Sequence, residues 1–332
     1  MAGVERFTIA QFTDVHLSRM PSFPMRYWNL KRLLGFANWH RGRKNFHSSE
    51  IVARLVSDLK ARPNAFSHIV VTGDLVNIGL PEEYDRARQW LEALGGPSDV
   101  TVIPGNHDIY VEMPEAESVG KWQDYMQPIP VTGQTLLPEF PFVRTFGKVA
   151  LVCCNSAEPT PPFVAAGRLG DEQRARLRQR LVELRELGKV RIVLIHHPPL
   201  LGLASPSRGL KDAEALQAIL EEVGAELVLY GHNHRNLLSE VQCRATGNAI
   251  PVVGLASSSA ARAHNREDLA CYNLFDVMIE GNRVKIEMRR RGLMSKRALA
   301  IGPEDRIEEL AQCEFNLALT GQEASRSQDI SA

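Results

Sequence analysis

Five short stretches of this 332-residue chain carry side chains that bind metal ions or move protons. They are Asp14-Val15-His16, Gly73-Asp74, Gly105-Asn106-His107-Asp108, His196-His197-Pro198-Pro199 and Gly231-His232-Asn233-His234. Imidazole nitrogens, carboxylate oxygens and an amide oxygen make a mixed donor set. Such a set suits manganese, iron, zinc or cobalt better than an oxygen-seeking or thiolate-bound ion. Any one stretch alone proves little, because Asp-x-His is common by chance and Gly, Asn and Asp are ordinary turn residues. His232-x-His234 is a stronger signal, since alternate residues on an extended strand end face the same way. Asp14, His16, Asp74, Asn106, His196, His232 and His234 together exceed what one ion needs. Two ions about 3.5–4 Å apart, sharing one carboxylate, can activate water and clamp both ends of an in-line displacement at phosphorus.

Each stretch follows a run that reads as a buried strand. Residues 7–13, 68–72, 190–195 and 226–230 are strand candidates, and Val102-Ile103 ends the third strand. In an open α/β sheet, parallel strands deliver their C-terminal ends to one edge, where ligands bind. Helical spacing between them predicts helices at 50–62, 81–94, 171–187 and 212–223. The arginines of 171–187 are interleaved with Glu172, Glu183 and Glu186, which reads as a solvated helix face. Residues 142–155 form a hairpin turning at Gly147-Lys148, and 250–255, 273–279 and 284–288 read as further, antiparallel strands. Residues 110–140 are proline-rich and read as a surface insertion around a short helix near 121–126. Residues 304–317 read as a docking helix, and the polar tail after Thr320 as frayed.

Composition sets the frame. Lys+Arg and Asp+Glu are both 39, and this neutrality argues against a nucleic-acid partner. The cysteines, Cys153, Cys154, Cys243, Cys271 and Cys313, are odd in number and lack C-x-x-C spacing, so they read as reduced thiols. No signal-like N-terminus or membrane-length apolar run is evident, and a soluble, cytoplasmic protein is expected.

The ordered set D-V-H, G-D, G-N-H-D, H-H-P-P and G-H-N-H resembles the calcineurin-like metallophosphoesterase superfamily over residues 7–290. The resemblance implies a four-layer α/β/β/α sandwich of two mixed sheets flanked by helices, with a catalytic domain over 1–300 and a C-terminal helix and tail over 301–332. It implies a binuclear centre of two divalent ions (manganese, iron or zinc). Asp14, His16, Asp74 and His234 would hold the first ion, and Asp74, Asn106, His196 and His232 the second. A metal-bridging hydroxide would attack phosphorus. Asn106 and His107 would stabilise the developing charge, with His107 near the leaving group and Asp108 orienting it. His197, Asn77, Trp28 and Trp39 are expected around the substrate. A degenerate, non-catalytic scaffold would have lost ligand residues, and every expected position here is filled.

Gly73-Asp74-Leu75-Val76-Asn77 departs from the G-D-x-x-D-R-G pattern of the protein phosphatase branch. It looks more like bacterial phosphodiesterases acting on cyclic nucleotides or glycerophosphodiesters. The segment 18–47 is a further departure, with seven Lys/Arg and no acidic residue across 19–47. Leu30, Leu33, Leu34 and Ala37 share a helical face, with Lys31 and Arg32 off it. Such a segment either lies in a membrane interface, covers a lipid-phosphate substrate, or packs on its own domain. It resembles, more weakly, an extended segment of UDP-2,3-diacylglucosamine pyrophosphohydrolases, which implies a lipid-linked pyrophosphate at the inner membrane face as the alternative. Residues 250–290 are a candidate homodimer edge.

Overall fold

A computed structural model describes residues 4–17, 20–62, 66–128, 139–262, 267–294 and 307–319. Two six-stranded mixed sheets stack between helices. The first is built on β1 (Glu5–Phe12), with β2 (His68–Val71) and β3 (Val100–Val102) parallel to it on one side. On its other side run β10 (Cys271–Glu280), β11 (Arg283–Leu293) and β12 (Ile307–Ala318), all antiparallel. The second sheet has a parallel centre of β5 (Val149–Cys153), β6 (Val190–Leu194), β7 (Leu227–Tyr230) and β9 (Ala249–Gly254). Antiparallel β4 (Phe142–Phe146) and β8 (Leu237–Gln242) close its edges.

The alternation of side chains along a strand explains the layers. Leu151, Cys153, Ile192, Leu194, Leu227 and Leu229 join the core shared with the first sheet. Their neighbours Ala150, Val152, Val193 and Val228 pack instead with Leu177 and Leu181 of α4 (Asp171–Glu186) and Leu216 and Leu220 of α5 (Ala213–Val223). Strands covered on both faces carry near-continuous apolar runs, which is why they were conspicuous in the sequence. α2 (Ser49–Lys60) and α3 (Pro81–Leu94) pack through Ile51, Leu55, Tyr84 and Leu91 into the core of the first sheet. Arg191 and Glu226 form an ion pair of 2.7 Å inside the second sheet, both buried. The cysteines are free thiols, and all but the half-buried Cys313 are buried.

Two expectations need correction, and one open reading receives its answer. Residues 307–318, expected in a helix, form β12, because the edge of β11 offers unpaired backbone and the alternate residues Phe315 and Leu317 turn inward. Residues 119–126, expected in a surface insertion, bury Val119, Trp122, Tyr125 and Met126 in short 3-10 turns beside Tyr84. α1 (Leu30–Arg41), whose placement the sequence left open, packs on its own domain, with Leu34 and Ala37 half-buried beside a cavity. Arg32 and Trp39 are buried while Leu30 is 66% and Leu33 40% exposed. Arg32 goes inside because its guanidinium caps the carbonyls of Tyr27, Ile78 and Gly79. Strand β8 escaped the sequence reading, its half-exposed alternation being weak. Ser18, Arg19 and the tail from Thr320 lie outside the described residues.

Candidate metal centre

The loops leaving β1, β2, β3, β6 and β7 bring the seven expected ligands together. Asp14, His16 and His234 form one cluster, and Asp74, His196 and His232 a second, their donor atoms within 4.8 Å of one another. Asn106 joins the second through Oδ1, 2.8 Å from His232 Nδ1 and 3.2 Å from His196 Nε2. Asp74 lies between the two. Its Oδ2 is 3.8 Å from His16 Nε2 and 3.4 Å from His196 Nε2.

The backbone at these positions is strained. Asp14, His16, Asp74, His232 and His234 all have positive φ, between 40° and 67°. Non-glycine residues rarely adopt that region, and a cluster of such residues marks a functional site. Gly105 serves through its missing side chain, its φ lying outside the left-handed region. A Cβ there would collide with the Asp74 carboxylate.

The donor set fits divalent cations. His16 Nδ1 bonds the Val76 carbonyl at 3.1 Å and His196 Nδ1 the Thr72 carbonyl at 2.7 Å, so each turns its Nε2 inward. Those nitrogens stand 3.4 Å from His234 Nε2 and 3.3 Å from His232 Nδ1, so ring nitrogens converge within each cluster. Asp14 Oδ1, in the first cluster, is buried without a hydrogen-bond partner. Burial holds His16 and His232 well below the usual imidazole range. Burial works the same way on His196 and His234, yet Asp74 and Asp14 outweigh it and hold them up at about 9. The two buried carboxylates therefore demand positive charge, which divalent ions supply.

Asp108 does not orient His107. Its carboxylate accepts backbone N–H bonds from Asp74 (2.7 Å), Leu75 (2.9 Å), Val76 (3.2 Å) and Gly105 (2.9 Å), fastening the β2 loop to the β3 loop. Burial and the Asp74 charge raise the Asp108 carboxyl, against donors that favour its ionised form. His107 is held instead by the carbonyl of Asn77 through Nδ1, and burial with the nearby Arg43 charge pulls it down to about 3. The backbone N–H of His107 donates to Asp74 Oδ1 at 2.7 Å.

A cavity of about 830 Å³ opens over the cluster, lined in part by Asp74, Asn106, His107, His232 and His234. The expected substrate contacts lie elsewhere. Trp39 is buried, and the half-exposed Trp28 bonds the Phe23 carbonyl through its indole N–H. Asn77 donates to the Leu17 carbonyl, and His197 is fully buried between Ser156 and the Ala165 carbonyl. None of the four lines the cavity. Arg43, His47, Tyr110, Arg208 and Glu267 do, and none was singled out from the sequence. Only the lack of acids around Arg43 hinted at its place.

With this geometry in view, comparison with known proteins decides the family. The calcineurin-like phosphoesterase family matches residues 7–236. The chain belongs to that family. It is a metal-dependent phosphoesterase, as the resemblance implied. A glycerophosphodiester phosphodiesterase, GpdQ, of Enterobacter lignolyticus is 30% identical over 66% of this chain and 71% of its own length. A probable cyclic nucleotide phosphodiesterase of Synechococcus sp. is 30% identical over 72% and 80%. A dimetal phosphatase from Danio rerio shares the fold, with a TM-score of 0.57 at 12% identity, covering 95% of this chain and 99% of that one.

Proposed function

We propose that the chain is a binuclear phosphodiesterase acting on a small phosphodiester of the cyclic nucleotide or glycerophosphodiester type. The observation that carries this reading is the position of Asp74 Oδ2, facing the nitrogens of both clusters at once. Asp14, His16, Asp74 and His234 would hold one ion, and Asp74, Asn106, His196 and His232 the other. Bound ions of this kind supply Lewis acidity and an activated water for in-line displacement. The chain's own groups do the rest. The Asn77 carbonyl fixes the His107 ring so that Nε2 faces the cavity, beside Arg43. Asp108 holds the two loops in register, and both names among the curated relatives are phosphodiesterases.

Elemental analysis and a substrate panel test this. Protein loaded with manganese should carry close to two ions per chain and cleave bis(p-nitrophenyl) phosphate, and chelation or Asp74→Ala should abolish both. Cyclic nucleotides and glycerophosphodiesters then identify the diester class. Loaded protein that is inert toward every mono- and diester would sink the reading.

A second reading, a lipid-linked pyrophosphate met at an anionic membrane face, draws support from the 20–47 segment. Met25 is 75%, Trp28 52% and Leu30 66% exposed there, among basic residues and no acids. Among the described residues no helix is long and apolar enough to cross a membrane, so contact would be peripheral. Co-sedimentation with anionic vesicles, compared with a Trp28→Ser/Leu30→Ser variant, tests it. Equal binding by both removes the segment from the reading.

A further inference from the structure

The proposed reaction leaves a cation beside the centre unused. Arg43 follows α1 in a short 3-10 turn and reaches the centre between the two loops that carry His16 and His107. Its Nη1 lies 3.2 Å from His107 Nε2 and its Nη2 3.1 Å from His16 Nε2. Both contacts are to imidazoles, and among the described residues no carboxylate forms an ion pair with this guanidinium. Asp74, Glu267 and Asp14 pull on this guanidinium without bonding it while burial opposes its charge, so an anion that accepted from it directly would stabilise it.

The segment is anchored on both sides of Arg43, so the backbone that carries the guanidinium is fixed, and the side chain gives up His16 Nε2 when an ion takes that nitrogen. Upstream, Lys31 Nζ bonds the Tyr110 carbonyl at 2.8 Å and Thr160 Oγ1 at 2.9 Å, and lies 4.3 Å over the Tyr110 ring. Gly35 has no room for a side chain against Tyr110 and Ile78. Downstream, the Phe46 carbonyl accepts from the Ala261 N–H at 2.6 Å, and the Ser48 N–H donates to Ser259 at 2.9 Å. His47 is tied to Ser259 Oγ at 2.7 Å. α1 therefore forms a wall of the cavity, and Arg43 projects from its end toward the reacting centre.

We propose that Arg43 takes an oxygen of the substrate's phosphoryl group, making the 20–47 segment part of the catalytic machinery. The planar fork of a guanidinium matches two phosphoryl oxygens, and placed beside His107 it meets charge that develops toward the leaving group. Arg208 approaches the other cluster, its Nη2 3.5 Å from the His232 carbonyl, so an anion over the centre is flanked by cations on two sides. The proposal rests on the phosphoester reading of the same site, and its test separates the two.

Wild type, Arg43→Ala and Arg43→Lys are loaded with manganese and titrated with inorganic phosphate by calorimetry. Kinetics on bis(p-nitrophenyl) phosphate and elemental analysis follow on the same samples. The alanine variant should bind phosphate on the order of tenfold or more weakly. Its kcat/KM should fall roughly 10²–10³-fold with manganese content unchanged. Lysine should recover part of both, because it keeps the charge and loses the fork. Should the alanine variant fail to fold, Arg43→Gln carries the same expectation. Phosphate affinity and kcat/KM within twofold of wild type in the neutral variant would overturn the proposal. Wild type inert toward diesters but binding phosphate in an Arg43-dependent way would refute the phosphodiesterase reading and leave this one standing.

Discussion

Asp108→Asn is the substitution that most directly probes how the centre is held. In the wild type, Oδ1 accepts from Leu75 and Val76, and Oδ2 from Asp74 and Gly105. An asparagine can present its oxygen to only one of these pairs. Whichever way the amide is turned, its NH₂ group meets two N–H donors, leaving them unsatisfied and buried. Hydrogen bonds to charged groups contribute about 1.5–3 kcal/mol each, and breaking one side of a buried charged assembly costs about 3–5 kcal/mol. Two of the four bonds lost give about 3–6 kcal/mol, and together with the range for a broken buried assembly they place the expected loss at about 3–5 kcal/mol. That is a large part of the roughly 5–15 kcal/mol that holds a folded protein together. Urea unfolding of the manganese-loaded protein measures it. Because the freed N–H groups include that of Asp74 itself, metal affinity should also fall, by roughly 10–100-fold as for other residues that brace a ligand. An asparagine variant within about 1 kcal/mol of wild type at full metal occupancy would show that the four contacts do not fasten these loops.

Three further outcomes are expected. Chelation should destabilise the fold as well as silence it, by roughly 2.7 kcal/mol per ion at a hundredfold excess over Kd, read as a shift in urea midpoint that manganese restores. Arg191→Ala strands the Glu226 carboxylate inside the second sheet and should cost about 3–5 kcal/mol with metal content unchanged, a pattern a surface ion pair would not produce. His68 is buried against Phe146, and burial with the Arg144 charge pulls its imidazole down to about 3. The unfolded chain then binds the extra proton first, so the stability His68 contributes is full above about pH 6.5 and erodes as pH falls toward 3, by about 1.4 kcal/mol per unit. His68→Gln should flatten the stability profile between pH 6.5 and 5 by about 2 kcal/mol relative to wild type, and parallel profiles would refute the assignment.

The metal ligands were legible because each sits directly behind a run of apolar residues covered on both faces, a pattern that needs no knowledge of distant contacts. The second role of each motif was not. That Asp108 serves four backbone N–H groups and leaves His107 to Asn77 depends on how two loops meet, which spacing along one loop does not encode. α1 stayed open for a related reason. Its leucine face does not say what it packs on, and Arg32 goes inside to donate to the carbonyls of Ile78 and Gly79. β12 reads as a helix from its Glu, Ala and Leu content, and becomes a strand only because β11 has an open edge. Arg43 lacked any motif, and its position follows from anchors at Tyr110 and Ser259, remote in sequence.

The tie from His196 to the Thr72 carbonyl has a consequence for when this protein can first act. It crosses from one sheet to the other, and so does the donation from the His232 N–H to Asp14 Oδ2. Asp14, His16, Asp74 and Asn106 belong to the first sheet's loops, and the three remaining imidazoles to the second's. The proposed four-ligand sets, Asp14, His16, Asp74 and His234 for one ion and Asp74, Asn106, His196 and His232 for the other, each draw on both halves, so a chain emerging from the ribosome lacks part of these sets until His234 has been made. Each proposed site draws on both sheets, so an ion held there would also tie the two layers to each other.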